Sequence, residues 1–467
     1  MVFSSLFFLY LFLPLCMLSY AATKTIKSRN TVLIIFSLIF YAWGEPLYVL
    51  ILILSAVVNY ILALLIERYR DGTGAKAALV FSLVFNIGML GIFKYSGFIA
   101  ENINAIFSAD IEPPDIRLPI GISFYTFQII SYIVDCYWEK VHAQKSFPKF
   151  LMYVSLFPQL VAGPIVRYST IESEINMRKT TIDDLSSGIT RLIFGLSKKV
   201  IIANSLSTIV DSFFGSDIKG LSVMGTWYAV ILYAMQIYFD FSGYSDMAIG
   251  LGRIFGFHFD ENFNYPFICR DVSEFWQRWH ISLGTFFRDY LLYLPLFGKR
   301  RKYANLFLVW FCTGLWHGAS WNYVLWGLYF GLFIFIEQLV GKKRMKKIPL
   351  AVKHVYNKLV IIIGFGIFYF EDMKGLGNFF KNLIGLNGNK FIDSFVTISL
   401  ENNLYLIIAA VLFCFPVAKV VGQFVQKSRR FCYVTGTAQV AVNICLLLCS
   451  SLLLVDATNN PFLYFRF

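Results

Sequence analysis

The residues best suited to chemistry lie around His317, in the stretch 311–331. This imidazole stands between two apolar runs of helical length, 303–313 and 323–336, which contain no Asp, Glu, Lys or Arg. An ionisable side chain between two membrane-type segments is costly and is a candidate functional group. A neutral imidazole is the commonest general base for a hydroxyl proton, and burial favours the neutral form. For His317 taken alone, a purely structural histidine inside a helix bundle is an equally good interpretation.

A second candidate, His280, lies in the polar and aromatic stretch 274–290 together with Arg278, Arg288 and Asp289. The stretch is too polar for a lipid-facing span, so we expect a re-entrant or cavity-lining element. For His280 alone a structural role is favoured over a catalytic one.

Two carboxylates, Asp240 and Asp246, interrupt the apolar stretch 221–251. They could carry protons or bind a cation, as in a transporter. Intramembrane charges more often pair with each other, so we favour a structural role. We expect them to pair with Arg288, Arg278 or Lys94.

Composition places these groups in a membrane protein. Hydrophobic residues make up 57% of the 467 and charged residues 15%, against about a quarter charged in soluble domains. The net charge of +13 occurs as clusters between apolar runs, such as 299–302 and 342–347, as in cytoplasmic loops facing anionic lipids. Nucleic acid is therefore not an expected partner. The eight cysteines show no CxxC or Cys/His spacing, and no metal site is predicted.

Apolar runs predict an all-α polytopic protein with roughly eleven helices that enter the bilayer. Residues 147–166 contain Pro158, Gly163 and Pro164, which predict a helix broken at depth, and residues 185–214 predict an amphipathic helix beside the membrane rather than a span. Because both ends of the pair around His317 are basic, His317 is expected at the far turn of a hairpin. The remaining predicted spans are 2–20, 31–43, 47–66, 77–93, 119–138, 355–369, 404–421 and 440–454.

Seven ordered motifs resemble the membrane-bound O-acyltransferase family, and within it the membrane subunit of bacterial alginate O-acetyltransferases. They are FYAW (40–43), LPIGISFYTF (118–127), LVAGPIVR (160–167), YFDFSGYSDMAIG (238–250), EFWQRWHISL (274–283), FRDY (287–290) and GLWHGASW (314–321). The likeness runs from about residue 2 to 339 and returns in the last eight residues. We expect one integral membrane domain over 1–467, with core motifs in 118–340 and C-terminal helices in 355–456.

The resemblance implies a ring of helices around a central tunnel, in which His317 matches the catalytic histidine and His280 the second histidine of the site. Asp240, Asp246, Arg278, Arg288, Asp289, Trp316 and Asn322 are then expected to support them. The implied reaction moves an acetyl group from a cytoplasmic thioester, acetyl-CoA or an acyl carrier protein, to a hydroxyl. The implied partners are an extracytoplasmic esterase-like protein of the SGNH type and a cell-surface polysaccharide, at a bacterial plasma membrane.

Three alternatives stay open at this point. A relative in the same family transfers D-alanine from a carrier protein to teichoic acid. A secondary transporter would use Asp240, Asp246 and the broken helix, although the two halves show no repeat. A scaffold subunit would only anchor secreted partners, and His317 would then be dispensable.

Overall fold

The structure is a computed structural model that describes residues 1–161, 163–215, 218–295, 299–417, 419–420 and 429–455, with the backbone alone for 429–435. In these ranges the regular structure is helical and no strand forms. The chain divides into two compact units. One contains Met1–Leu192 and Tyr244–Glu261, and the other contains Ile193–Gly243 and Asn262–Phe467. The single integral membrane domain predicted from the sequence stays a prediction.

The first unit is built from the N-terminal helices. They are α1 (Phe8–Ala21), α2 (Ile26–Ala42), α3 (Tyr48–Arg68), α4 (Thr73–Phe107), α5 (Ile122–Tyr137), α6 (Phe147–Ser155), α7 (Phe157–Leu160) and α8 (Tyr168–Asn176). Helix α2 begins where the Thr25 side chain accepts a hydrogen bond from the Ser28 backbone N–H, an N-cap. It ends before Gly44-Glu45-Pro46, which joins α2 to α3 between the predicted apolar runs 31–43 and 47–66.

Two long helices each begin in one unit and end in the other. Helix α9 covers Ile182–Phe214, with a π-helical turn at Lys198–Ala203, and α10 covers Val223–Ile254. Helix α10 contains the predicted apolar stretch 221–251 almost completely.

The second unit contains the remaining helices. They are α11 (Val272–Trp276), α12 (Ile281–Tyr290), α13 (Lys302–His317), α14 (Trp321–Lys347), α15 (Leu350–Tyr369), α16 (Met373–Leu383), α17 (Ser394–Asn402), α18 (Leu404–Phe413) and α19 (Arg429–Val455). Aspartate N-caps start three of them. Asp271, Asp372 and Asp393 accept hydrogen bonds from the backbone N–H groups of Glu274, Gly375 and Val396.

Helices α13 and α14 form the predicted hairpin, and their backbones approach closely at two glycines. A Cβ atom at Gly327 would overlap the backbone oxygen of Trp310, and one at Gly314 would overlap that of Tyr323. Side chains at these positions would push the helices apart. His317 is the last residue of α13 and therefore lies at the turn of the hairpin, as predicted.

In the described part of the chain, six helices are long and apolar enough to cross a membrane: α3, α4, α9, α14, α15 and the 436–455 part of α19. A seventh is possible if α17 and α18, which are bent by 68°, form one span. The predicted count of roughly eleven is not confirmed. The runs that form α1 and α13 give apolar helices shorter than the roughly 20 residues that a full span needs.

Three predicted segments differ in detail. The stretch 101–115 follows the predicted span 77–93 and is acidic, so the sequence predicts an outer loop there. The structure is helical up to Phe107, because α4 continues through a π-helical turn at Gly91–Tyr95. The segment 147–166 is broken as predicted, but the break is at Leu156, and Pro158 lies inside the short helix α7 that follows. Residues 185–214, expected beside the membrane, belong to α9, which is largely buried; its Arg191 and Lys199 are neutralised by carboxylates within the protein and do not need interfacial water.

Candidate active site

His317 is buried among aromatic rings that fix the orientation of its imidazole. The rings of Trp326, Trp316 and Phe368 have centroids 4.8, 4.9 and 5.1 Å from that of His317, at interplanar angles of 81°, 73° and 85°. These are edge-to-face contacts, which aromatic systems favour. Only 7% of the His317 surface is exposed. The imidazole is thus buried at the end of α13, in contact with three aromatic rings.

Asn322 supports this aromatic environment from behind. It is fully buried in the first turn of α14, and its Nδ2 donates hydrogen bonds to the backbone oxygens of Phe368 (3.2 Å) and Ile367 (3.4 Å). Its neighbour Tyr323 donates from Oη to Glu371 at 2.9 Å. These bonds tie the start of α14 to the end of α15 and hold Phe368 against His317.

His280 occupies a tight corner between α11 and α12. Its φ of +45° lies in the left-handed region, and its side chain is buried. The Nδ1 atom is 3.2 Å from Oδ1 of Asn262, and the backbone N–H of Ile281 donates to the Asn262 carbonyl at 3.0 Å. A bulky residue in this conformation is strained and persists where its surroundings hold it.

Trp316 brings the two histidines together. Its ring centroid is 5.5 Å from that of His280 and 4.9 Å from that of His317. The two histidines most strongly suggested by the sequence therefore pack against one side chain. This arrangement joins the corner between α11 and α12 to the hairpin of α13 and α14.

Asp240 is buried in an ion pair with Lys199, at 2.7 Å, and the side chains are 2% and 4% exposed. The prediction that Asp240 is held by a basic side chain is confirmed, and the partner observed, Lys199, is not among the expected Arg288, Arg278 or Lys94. The basic residue comes from α9, which the sequence interpretation had placed beside the membrane.

Asp246 belongs to the first unit, where Arg191 donates to it at 2.8 Å and also binds Glu261. Arg191 is not among its expected partners either. Asp240 and Asp246 lie on one helix, and each forms an ion pair with a basic residue of α9.

The remaining predicted supporting residues stabilise local structure. Arg278 binds Glu274 at 3.0 Å and donates to the backbone oxygen of Asn264 at 3.2 Å. Arg288 binds its neighbour Asp289 at 2.7 Å, with more than half of the arginine side chain exposed.

Several residues of the site were missed by sequence reasoning. Asn262 contacts His280 from 18 positions earlier in the chain, and Trp326 and Phe368 contact His317 from two further helices. Asn262 stands in the polar stretch DENFN (260–264), which was available as a signal. Trp326 and Phe368 sit in apolar runs that give no such signal. The described residues contain no group of three or more His, Cys, Asp or Glu side chains that could hold a metal ion.

Comparison with known proteins identifies the family. The model of the membrane-bound O-acyltransferase family matches residues 38–376. The chain is 40% identical to the probable alginate O-acetylase AlgI of Pseudomonas aeruginosa, over 80% of this chain and 73% of that protein. It is 31% identical to the peptidoglycan O-acetyltransferase of Helicobacter pylori, over 100% of this chain and 98% of that protein.

A more distant relative is the teichoic acid D-alanyltransferase of Bacillus subtilis, 29% identical over 55% of this chain and 68% of that protein. The full-length match extends the similarity through 342–459, where the motifs alone showed only general hydrophobicity. The sequence motif at 460–467 lies outside the described residues. The chain therefore belongs to the membrane-bound O-acyltransferase family, and it is a multi-pass membrane acyltransferase.

Proposed function

We propose that this acyltransferase moves an acetyl group from a cytoplasmic thioester to a hydroxyl on an extracytoplasmic acceptor, with His317 as the general base. The observation that carries the proposal is the setting of His317, buried at a helix turn, fixed by three aromatic rings and linked through Trp316 to a second buried histidine. The transporter and scaffold hypotheses give no reason for this arrangement.

The position of His317 along its helix supports transfer across the membrane. Helix α13 starts at the basic cluster 299–302, and His317 lies 15 residues further on, about 22 Å along the axis at 1.5 Å per residue. The hydrocarbon core is about 30 Å thick. If the basic end faces the cytoplasm, a helix perpendicular to the bilayer carries His317 past its middle. A donor from one side and an acceptor from the other could then meet there.

The proposed reaction needs one base and one leaving group. His317 removes the proton from the acceptor hydroxyl, and the oxygen attacks the carbonyl carbon of the acetyl thioester. The C–O bond forms, the C–S bond breaks, and the thiolate takes the proton from the imidazolium to leave as a thiol. A neutral imidazole is required at the start, and burial among aromatic rings favours it. Exclusion of water limits hydrolysis of the thioester.

The acceptor class is proposed from the relatives. Those with O-acetylase or O-acetyltransferase names cover more of this chain than the D-alanyltransferase does, and one covers all of it. We therefore favour acetylation of a cell-surface polysaccharide, alginate-like or peptidoglycan, over D-alanylation of teichoic acid. The donor would be acetyl-CoA or an acyl carrier thioester. A relay through an SGNH-type esterase-like partner outside a bacterial plasma membrane completes the proposal.

The test is the acetyl content of the cell-surface polysaccharide and peptidoglycan fractions in a strain whose only copy carries His317→Ala. Membrane abundance of the protein is measured in parallel, and ester-linked D-alanine is measured in the same cells. Loss of acetyl ester at normal abundance supports the proposal and shows which fraction is the acceptor. Loss of D-alanine alone would favour the alternative, and unchanged esters of both kinds would refute a catalytic His317.

A further inference from the structure

The corner at His280 is unusual among the described residues. Across the described residues, five residues other than glycine have a positive φ. His280 is the buried one among them, and the others are Asp71, Ser108, Glu139 and Tyr265. Strained conformations of this kind collect at functional sites and need surroundings that hold them.

Asn262 holds this corner with both its backbone and its side chain. Its carbonyl accepts from the Ile281 N–H at 3.0 Å. Its Oδ1 accepts from the backbone N–H of Ser282 at 3.2 Å and from the Ser282 hydroxyl at 2.9 Å. One buried amide thus binds the two residues that follow His280.

These contacts determine which ring nitrogen of His280 carries the proton. The backbone N–H of Ser282 can only donate, so the side-chain atom of Asn262 that faces it is the oxygen. The same oxygen lies 3.2 Å from Nδ1 of His280, and an amide oxygen can only accept. The Ser282 hydroxyl is 3.4 Å from Nδ1 but donates its proton to the same Asn262 oxygen, at the shorter distance of 2.9 Å. This assigns the proton of His280 to Nδ1. In the neutral ring, Nε2 then bears a lone pair.

That lone pair is buried and lacks a hydrogen bond from any residue in the described ranges. Around the ring pack Phe241, at a centroid distance of 4.6 Å, and Trp316, at 5.5 Å. The amide Nδ2 of Asn262 is likewise buried with no acceptor among the described residues. Buried polar atoms in proteins are nearly always satisfied, so Nε2 of His280 has the capacity to accept a hydrogen bond from a bound molecule.

We propose that Asn262 is a positioning residue that fixes His280 as the Nδ1–H tautomer, so that Nε2 accepts a hydrogen bond from an O–H or N–H group of a bound substrate. The inference rests on the proposed acyl transfer. The donating group belongs either to the acceptor, which offers hydroxyls, or to the thioester donor, whose arm would offer an amide. Both present the same chemistry to Nε2, and kinetics with each substrate varied in turn distinguish them.

The first experiment measures kinetics in Asn262→Leu and Asn262→Asp. Leucine removes the oxygen, and we expect kcat/KM to fall roughly 10- to 100-fold, the range found for hydrogen-bond partners that orient metal-binding histidines. The KM that rises identifies the substrate that His280 binds. Aspartate keeps the accepting oxygen and adds a negative charge beside the imidazole, which raises the pKa of His280 in this variant. The acid limb of its pH profile should therefore move to higher pH, with more activity retained than in the leucine variant.

Asn264 provides matched controls, because it lies in the same loop but its side chain is exposed and makes no hydrogen bond among the described residues. Asn264→Leu and Asn264→Asp should keep the wild-type kcat/KM within about threefold and the wild-type acid limb, since exposed charges are screened. If Asn262→Leu were as active as Asn264→Leu, or if both aspartate variants gave the same pH profile, the inference would be wrong.

A spectroscopic test does not depend on turnover. The chain has five histidines, so ¹⁵N-histidine spectra of the purified protein compared with those of His280→Asn assign the His280 signals. We expect a protonated Nδ1 in the wild type and a mixture of tautomers in Asn262→Leu. A protonated Nε2 in the wild type would overturn the inference. Absence of acyl transfer by the wild type with the expected spectrum would instead count against the proposed function alone.

Discussion

Lys199 of α9 and Asp240 of α10 form an ion pair of 2.7 Å whose two side chains are almost completely buried. Buried pairs of this kind contribute little compared with an apolar pair of similar size, but removing one partner leaves an uncompensated charge. The pair therefore joins the parts of α9 and α10 that belong to the second unit. Its effect on the free energy of unfolding becomes visible when one of the two partners is removed.

We predict that Lys199→Met destabilises the protein by about 3–5 kcal/mol, the cost of leaving one buried charge without its partner. The measurement is the thermal unfolding midpoint in detergent. Lys390→Met, at an exposed position of the same unit, is the control and should stay near the wild type. The double variant Lys199→Met/Asp240→Leu should recover most of the loss, and a double variant no more stable than Lys199→Met would contradict the explanation.

The aromatic contact on His317 leads to a second prediction, about catalysis. Phe368→Ala removes a ring 5.1 Å from the imidazole and gives His317 freedom to rotate. Small misplacements of a reacting group cost roughly 100-fold in rate, so kcat for acyl transfer should fall by about that factor. Initial rates with purified, correctly folded protein provide the measurement.

Phe370→Ala is the matched control, because Phe370 is also buried near the end of α15 but packs on Phe214 and Phe379. Both variants lose a buried ring and should lose stability of similar size. Equal losses of kcat in the two variants would mean that the contact with His317 has no special role.

His258 gives a prediction about pH. Its Nδ1 lies 2.7 Å from Glu174 and its Nε2 lies 3.2 Å from Asp184. All three residues belong to the first unit. His258 and Glu174 lie outside the candidate spans, and Asp184 is in the first turn of α9. The hydrogen bond to Glu174, followed by that to Asp184, raises the pKa of His258 above its usual 6.5. A raised folded-state pKa stabilises the protein fully below the unfolded pKa, and the stabilisation disappears as pH rises through the folded value.

The unfolding midpoint of the wild type should therefore exceed that of His258→Gln at pH 6, and the difference should shrink towards pH 8.5. The effect is expected to be small, because about half of the His258 side chain is exposed. His142→Gln, at a more exposed histidine that approaches Glu67, is the control. If the difference in unfolding midpoint between wild type and His258→Gln stayed constant with pH, the charge on His258 would not stabilise the fold.

Features that are encoded by neighbouring residues could be predicted from the sequence. The turn at His317, with Trp316 and Asn322 beside it, is encoded in nine consecutive residues, 314–322, and in the two apolar runs around them, so helix periodicity and charge placement were sufficient. The pairing of Asp240 and Asp246 with basic side chains could also be expected, because isolated charges are costly among apolar helices.

The partners themselves could not be predicted, because helix packing decides them. Lys199 reaches Asp240 only through the packing of α9 on α10, where a Cβ at Gly243 would overlap the backbone of α9 at Gly195. Asn262 lies in an irregular loop that has no periodicity to indicate which way its amide points. The predicted count of roughly eleven helices is not confirmed for a different reason: apolar composition does not distinguish a short buried helix from one that crosses the bilayer.

Glu337 gives the last prediction, which concerns the segment leading into His280. This carboxylate of α14 is buried and accepts from the backbone N–H groups of Val272 and Ser273, at 2.7 and 2.9 Å, and from the Ser273 hydroxyl. It therefore anchors the start of α11 to the hairpin that carries His317. Glu337→Leu leaves these donors without an acceptor, at a cost on the order of 1–3 kcal/mol for each buried group.

We expect Glu337→Leu to loosen α11 before the whole protein unfolds, because the hydrogen bonds lost are local to its first turn. Limited trypsin digestion should then cleave after Arg270 or Arg278 several times faster than in the wild type, and acyl transfer should fall as the His280 corner loses its support. Glu401→Leu, at an exposed position of α17, should leave both measurements unchanged. Wild-type cleavage rates in Glu337→Leu would show that α11 is held by its apolar contacts instead, with Val272 and Phe275 both fully buried.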